Sequence, residues 1–308
     1  MKSVGRMFRW LILFGLAAVL RGETLTIATY NVENYVAANR MTEAGYRKDY
    51  PKPEVQKRAL RAAIRGIDAD VLVLQEMGGP AYFEEFRRDL RTEGLEYPHA
   101  ELLQAADSER HVAVLSRRPF VTVTRHTELE FSYFDGQERV KRGLLEVQLH
   151  TVAGEVTLFG LHLKSRYTDR ADDSRSARRR LGEAVAIRDA VLRRFPEPAV
   201  GRFAILGDFN DDKSSATVRR MLMRGKTKVA RLLPAADSRG ETWTHAFRKQ
   251  DSYSRVDHVL VSPALWRSVR GGAARIYDGE GVREASDHRP VVVTLELGPA
   301  AVAAGEKQ

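Results

Sequence analysis

Nine residues, Phe203-Ala204-Ile205-Leu206-Gly207-Asp208-Phe209-Asn210-Asp211, narrow the choice of fold more than any others in the chain. The first four are apolar, and Phe203 and Ile205 favour extended backbone, so they read as a short buried strand. Gly207 breaks it, and the following turn carries a carboxylate, an amide and a second carboxylate. A buried strand ending in Gly-Asp-x-Asn delivers two short polar side chains to the rim of a sheet. In open α/β sheets that rim is where ligands bind. Asp and Asn can also merely close a turn, which is their commonest job. Four other stretches weigh against that plainer reading, because each repeats the form of an apolar run ending in a polar cluster.

In chain order, Leu25 to Tyr30 is β-rich and alternates, a first strand ending at Asn31-Val32-Glu33-Asn34. Ala37 to Lys52 is polar and irregular, which predicts a surface loop. Pro53 suits the first turn of a helix running to about Gly66, with Leu60, Ala63, Ile64 and Ile67 as its apolar stripe. Val71 to Leu74 is a buried strand with Gln75-Glu76 at its end. Pro80 opens a second helix, with Phe83, Phe86 and Leu90 inward and Gly94 as its stop. A β-rich middle follows at His111 to Ser116, Val121 to Phe131, Lys141 to His150 and Glu155 to Leu161. Turns are marked by Asp135-Gly136 and Ala153-Gly154. The last of these strands ends at His162-Leu163-Lys164. Asp173 or Ser174 caps a helix to Phe195, with Leu181, Ala184, Val185, Val191, Leu192 and Phe195 inward. After the Gly207 strand come a short helix near Ala216 to Arg224 and a loop holding Thr242-Trp243-Thr244-His245. A strand from Val256 to Val261 follows, and a closing strand, Pro290 to Leu297, is entered through Ser286-Asp287-His288. Two halves of alternating strands and helices, with no linker between them, predict one α/β domain with two packed sheets.

A chain of 308 residues, 43% apolar and 30% charged, can bury a full core. Residues 1–22 are expected to stand apart from the fold. Lys2, Arg6 and Arg9 precede an unbroken apolar run from Trp10 to Leu20, the pattern of a signal peptide. An uncleaved N-terminal anchor is the alternative, because Leu20-Arg21-Gly22 is a poor small-residue cleavage site. Either way, the expected location is exported: periplasmic, secreted or held at a membrane by its N-terminus. The expected domain is residues 23–299, followed by a tail at 300–308. Without the leading segment the chain holds 46 basic and 41 acidic residues, a net +5 rather than +9. That excess permits a polyanion partner without demanding one. With no cysteine, the domain rests on its core rather than on disulfides.

The polar residues at the strand ends are Asn31, Glu76, His162, Asp208, Asn210, Asp257, Asp287 and His288. Each has a plain alternative: Glu76 can be solvated, and a lone His162 on an apolar strand can be a satisfied core histidine. Asp257, beside a buried strand, costs several kcal/mol unless it meets a cation, a donor or a metal. A set rich in carboxylates suits a hard, oxygen-liganded ion such as Mg²⁺. The chemistry that needs such a set is metal-assisted phosphoester hydrolysis. The ion neutralises phosphate charge, and two histidines with an Asp serve as base, orienting carboxylate and phosphate-stabilising group.

Six motifs in order are Thr29-Tyr30-Asn31-Val32-Glu33-Asn34, Leu74-Gln75-Glu76, Leu161-His162-Leu163-Lys164-Ser165, Gly207-Asp208-Phe209-Asn210, Arg255-Val256-Asp257-His258-Val259-Leu260 and Ser286-Asp287-His288-Arg289-Pro290. In this series the chain resembles the endonuclease/exonuclease/phosphatase superfamily over residues 25 to 297. That group includes pancreatic-type deoxyribonucleases, apurinic-site endonucleases, bacterial sphingomyelinases and inositol polyphosphate 5-phosphatases. The resemblance implies a four-layer α/β sandwich, two packed mixed β-sheets flanked by helices, with the site at one edge of the sheets. It implies Glu76 as the principal Mg²⁺ ligand with Asn31 and Asp287 beside it, Mn²⁺ being a substitute. It further implies His288 as the base, Asp257 as its orienting carboxylate, and Asp208 and Asn210 as positioning groups for nucleophile and phosphate. His162 would stabilise the phosphate or assist the leaving group, and Arg142 falls where relatives often carry a phosphate-facing basic residue.

Among phosphoesters, the inositides fit least. Inositol phosphatases usually carry a Trp-Cys-Asp-Arg-Ile/Val-Leu signature, where this chain has Tyr253-Ser254-Arg255-Val256-Asp257-His258. The Arg255–Ser262 stretch looks closer to the nuclease-like branches. Arg166, Arg170, Arg175, Arg178, Arg179 and Arg180 follow His162 closely; they read as a solvated helix face or as a track for a nucleic-acid backbone. Phe131, Tyr133 and Phe134 read as strand-end core or as a membrane-touching hairpin like that of sphingomyelinases. The expected activity is therefore an Mg²⁺-dependent phosphodiesterase, a nuclease acting on DNA or RNA as a monomer with no obligate protein partner. The alternatives are a sphingomyelinase-like lipid phosphodiesterase or other phosphoesterase, and a non-catalytic binding domain on the same fold.

Overall fold

In the computed structural model, which describes residues 22–42, 44–168 and 170–298, the apolar runs become the central strands of two sheets. The leading segment (except Gly22) and the tail lie outside the described residues. The first sheet runs Ala235–Ala236, Ala274–Ile276, Val291–Leu297, Glu23–Tyr35, Val71–Met77, His111–Ser116, His99–Leu103. The second runs Arg231–Leu232, Asp257–Val261, Phe203–Asp208, Gly154–His162, Leu144–Thr151, Phe120–His126. Each sheet has a parallel pair at its centre, Glu23–Tyr35 with Val71–Met77 and Gly154–His162 with Phe203–Asp208, among antiparallel neighbours.

Period-two alternation divides each strand between two cores. Leu25, Ile27, Val71, Val73, Val112 and Val114 face Leu145, Val147, Leu158, Leu206, Val259 and Val261 between the sheets. The intervening residues Ala28, Tyr30, Leu72 and Leu74 turn outward onto helices α1 (Glu54–Ile67) and α2 (Pro80–Thr92). On the other side Phe159, Leu161, Phe203 and Ile205 meet helices α3 (Ala177–Arg194) and α4 (Ala216–Leu222). Helix, sheet, sheet and helix make the expected four layers. No helix among the described residues is long and apolar enough to cross a membrane.

Several expectations shift locally. The polar stretch 37–52 is a hairpin of Ala38–Thr42 with Gly45–Tyr50 instead of a loop, mostly exposed and so without an apolar period to read. The half-exposed edge strand His99–Leu103 carries no alternation either. The run Val121 to Phe131 divides into an edge strand, Phe120–His126, and a separate hairpin of Glu130–Tyr133 with Gly136–Arg139. Asp173 is the acceptor for the start of α3, taking bonds from the N–H groups of Arg178 (2.8 Å) and Arg179 (3.0 Å).

Candidate active site

The two parallel pairs end at the same edge, and each ends irregularly. Between Asn31 and Tyr35 the pairing with Val71–Met77 slips register, and Glu33, Asn34 and Glu76 take left-handed backbone with φ of 48°, 49° and 62°. Such conformations cost of order 1–3 kcal/mol each and persist where the surroundings enforce them. Here they aim polar groups inward. Glu76 accepts from Asn34 N–H (2.9 Å) and from Asn31 Nδ2 (3.3 Å).

In the second sheet, His162 and Asp208 are register partners at the ends of adjacent parallel strands. Asp208 Oδ1 accepts from the N–H of Asn210 (2.7 Å), itself left-handed at φ 51°. Asp208 Oδ2 accepts from Asn31 Nδ2 (3.1 Å), a bond that ties the two sheets together at the site. His162 Nε2 stands 3.5 Å from Asp208 Oδ2 and 4.0 Å from Glu76 Oε1. Burial, then the charge of Asp257, pushes the Asp208 carboxyl up to about 7. Burial, then the nearby Arg142, draws His162 well below the ordinary imidazole value, so it is neutral at pH 7.

Asp257 and His288 meet from two further strand ends. Thr244 Oγ1 accepts from the N–H groups of Val256 and Asp257, both at 3.1 Å, and pins the first end. Ser286 Oγ donates to Asn31 O (2.8 Å) and accepts from His288 N–H (3.0 Å), pinning the second. His288 Nδ1–H then donates to Asp257 Oδ2 at 2.8 Å. Its Nε2 faces Asp208 Oδ2 at 3.9 Å and Asp287 Oδ1 at 4.0 Å. Burial alone would depress this imidazole; the charge and hydrogen bond of Asp257, with Asp208 and Asp287, hold it well above the ordinary value.

Asp287 meets Glu33, His245 and His288 through its N–H and carboxylate, and its carbonyl accepts from Ala246 N–H. Its N–H donates to Glu33 Oε2 (3.2 Å), and its Oδ2 lies 3.6 Å from His245 Nε2. Burial would raise the Asp287 carboxyl, but His245 and His288 hold it at about 2. Burial, then Asp287, raises Glu33, while buried Lys52 donates to the Glu33 carbonyl at 3.1 Å. Burial draws the Lys52 ammonium down to about 8. Glu33, Glu76, Asp208 and Asp287 thus crowd one cleft of about 1220 Å³, and two of them are held up by burial and mutual repulsion. That oxygen donor set fits a hard divalent cation.

All eight strand-end residues named from the sequence converge here, within one network. Glu33, Thr244, His245 and Lys52 belong to it as well and were not singled out. Arg142 reaches the cleft but is buried, donating from Nε to Asp107 Oδ2 (2.8 Å). The arginine run divides: Arg166 and Arg175 line the cleft, whereas Arg178 lies 4.1 Å over the Phe134 ring and Arg179 bonds Glu138 (2.6 Å). Arg180 is buried against Asp211 and the carbonyls of Lys164 and Arg175, so it is no part of a solvated face. Phe131 and Tyr133 are buried in the α3 core, so their hairpin offers no apolar tip built from those rings.

The profile of the endonuclease/exonuclease/phosphatase family matches residues 28–288 of the chain. No curated protein sequence matches it significantly. Among solved structures, an endonuclease/exonuclease/phosphatase from Bacteroides vulgatus is similar with a TM-score of 0.62 and 15% identity, over 89% of this chain and 99% of that one. Sphingomyelinase C from Streptomyces griseocarneus gives 0.58 and 20%, over 89% and 99%. A mutant of Staphylococcus aureus beta toxin with bound magnesium ions gives 0.58 and 14%, over 88% and 99%. At these identities the likeness is one of fold.

Proposed function

Because the chain belongs to the endonuclease/exonuclease/phosphatase family, we propose that it is an exported, Mg²⁺-dependent phosphodiesterase that cleaves nucleic acid. The observation that carries the reading is the 2.8 Å bond from His288 Nδ1 to Asp257, which leaves Nε2 facing a carboxylate-lined cleft. In the reaction, a water oxygen bonds to phosphorus as the bond to the leaving oxygen breaks; that oxygen keeps the electron pair and takes up a proton from solvent. A cation held by Asp287 would offset part of the negative charge that raises His288 in the metal-free protein, and the deprotonated imidazole then takes the water proton at Nε2 and later releases it to solvent. Asp257 fixes the tautomer and stabilises the imidazolium that forms. Asn31, Glu76 and Asp287 would hold Mg²⁺ or Mn²⁺, which when bound supplies neutralisation of phosphate charge. Asp208 and Asn210 orient the nucleophile and phosphate, and neutral His162 can donate a hydrogen bond toward the leaving oxygen. A non-catalytic domain would have no use for the Asp257–His288 pair.

Nucleic acid is the favoured substrate because the cleft rim carries Arg110, Lys141, Lys164, Arg166 and Arg175 beside Tyr167 and Tyr253, exposed at 77% and 58%. Basic groups beside exposed rings suit a phosphate chain with stackable bases. Export is inferred from the basic and apolar pattern of residues 2–20. The test is turnover by metal-stripped protein, with and without Mg²⁺, on plasmid, single-stranded DNA, RNA, sphingomyelin and bis(p-nitrophenyl) phosphate. Mg²⁺-dependent cleavage of a polynucleotide supports the proposal. Cleavage of sphingomyelin alone would make it a lipid phosphodiesterase, and full activity without metal would overturn the mechanism.

A further inference from the structure

His245 stands beside the site without a part in the reaction above. One of its ring nitrogens, a carboxylate oxygen of Asp287 and a ring nitrogen of His288 all lie within 4.8 Å of one another. The closest approaches are 3.6 Å from His245 Nε2 to Asp287 Oδ2 and 4.0 Å from His288 Nε2 to Asp287 Oδ1. Tetrahedral zinc, with bonds of about 2.0–2.2 Å, sets its ligands roughly 3.3–3.6 Å apart. The Asp287 contacts need to close by some tenths of an ångström, and the two ring nitrogens, within 4.8 Å of each other, by at most about 1.5 Å. Backbone holds them in place: His245 and His288 form an isolated β-bridge, their ring centroids are 4.5 Å apart, and Ala246 N–H donates to Asp287 O at 2.9 Å.

Two imidazoles and one carboxylate are a borderline donor set that favours Zn²⁺ over Mg²⁺. It shares Asp287 with the oxygen set of Asn31, Glu76 and Asp287 and differs from it by its two imidazoles. A carboxylate on the far nitrogen is the usual support of a metal-bound histidine, and Asp257 supplies it to His288 Nδ1 at 2.8 Å. His245 and Asp287 are both partly exposed to the cleft, so an ion can enter and keep an open fourth position.

We propose that His245, Asp287 and His288 form a second, zinc-type cation site whose occupation switches hydrolysis off. An ion there takes the lone pair on His288 Nε2 that must accept the water proton, and it engages Asp287 at the same time. The inhibitory half rests on the reading of His288 as the base; the binding half does not.

The test uses metal-stripped full-length protein titrated with ZnCl₂ by calorimetry, beside His245→Ala and His245→Gln variants checked for an unchanged thermal melt. The parent is expected to bind one Zn²⁺ at this site, and both variants to bind it at least about a hundredfold more weakly. Co²⁺ should give the parent an intense tetrahedral absorption band that the variants lack. In the Mg²⁺-supported assay, the Zn²⁺ concentration that halves turnover should rise by a similar factor in the variants. Equal Zn²⁺ affinity in all three proteins would overturn the site and leave the base untouched. Zinc that binds through His245 without slowing the parent would overturn the inhibitory role, while His288 as the base is judged separately from the turnover of His288→Ala.

Discussion

Gly207→Ala probes the joint on which the site hangs. The glycine has φ of 150°, a backbone that L side chains rarely adopt, and an added Cβ would stand 2.0 Å from Leu161 O and 2.9 Å from its carbonyl carbon. Ordinary contact begins near about 3.5 Å, so the neighbouring backbone would have to retreat by more than ~1 Å. Leu161 and Gly207 are register partners, and the next pair along is His162 and Asp208. Backbone strain of about 1–3 kcal/mol and overpacking of about 1–3 kcal/mol together give about 4 kcal/mol. A whole domain is stable by only about 5–15 kcal/mol. Urea unfolding followed by circular dichroism should show that loss. Turnover of the folded fraction should fall as well, because His162 and Asp208 are carried apart. Gly225→Ala is the comparison: its φ is 57° but nothing lies within 4 Å of the added atom, so only backbone strain of about 1 kcal/mol applies. A Gly207→Ala protein as stable as Gly225→Ala would refute the reasoning.

Glu183, fully buried on α3, accepts from the N–H groups of Lys141 (3.3 Å) and Lys164 (2.7 Å). Glu183→Ala leaves both donors unsatisfied and should cost about 2 kcal/mol in thermal unfolding, while loosening the turns that carry Arg142 and His162. Arg175 lines the cleft and Arg178 lies over Phe134. Arg175→Ala should therefore raise KM for a polynucleotide and flatten its salt dependence, and Arg178→Ala should do neither, as measured by initial rates from 50 to 200 mM salt. In metal-free protein, the folded-state pKa values of His288 and Asp208 are raised, the latter to about 7. Their contribution is complete below the unfolded values and is lost as pH rises through the folded ones. The melting temperature should then fall from pH 6 to 9, and Mg²⁺ should reduce that fall; Asp287, held at about 2, contributes the opposite loss only in strong acid.

What could be read from the sequence were the residues that close apolar strands. Asp208 and Asn210 follow four buried residues and a glycine, so pattern and position agree. Asp257 and His288 were legible at the opposite ends of strands, Asp257 at the start of Asp257–Val261 and His288 just ahead of Val291–Leu297. Glu33 sits inside a quoted motif but gains its meaning from a left-handed turn and a bond to Asp287, neither of which leaves a period in the sequence. His245 lies in a short two-stranded hairpin without an apolar stripe, and only tertiary folding brings its ring to His288. The amphipathic reading of α3 placed Ala184, Val191 and Leu192 in the core but took the half-buried Leu181 and Val185 as inward and missed Ile187 and Ala190; it also passed over Arg180 and Glu183, charged residues buried because they bond turns rather than water. The hairpin at 38–50 was missed because an exposed ladder looks like any polar loop.

The pairing of Asp257 with His288 can be tested most directly by a double-mutant cycle on bis(p-nitrophenyl) phosphate with saturating Mg²⁺. His288→Ala should lower kcat by at least about a hundredfold with KM little changed, and Asp257→Asn should cost a comparable factor. If the two form one device, the double mutant is scarcely worse than His288→Ala alone. Losses that multiply in the double mutant, or a His288→Ala enzyme that turns over near the parental rate, would contradict it.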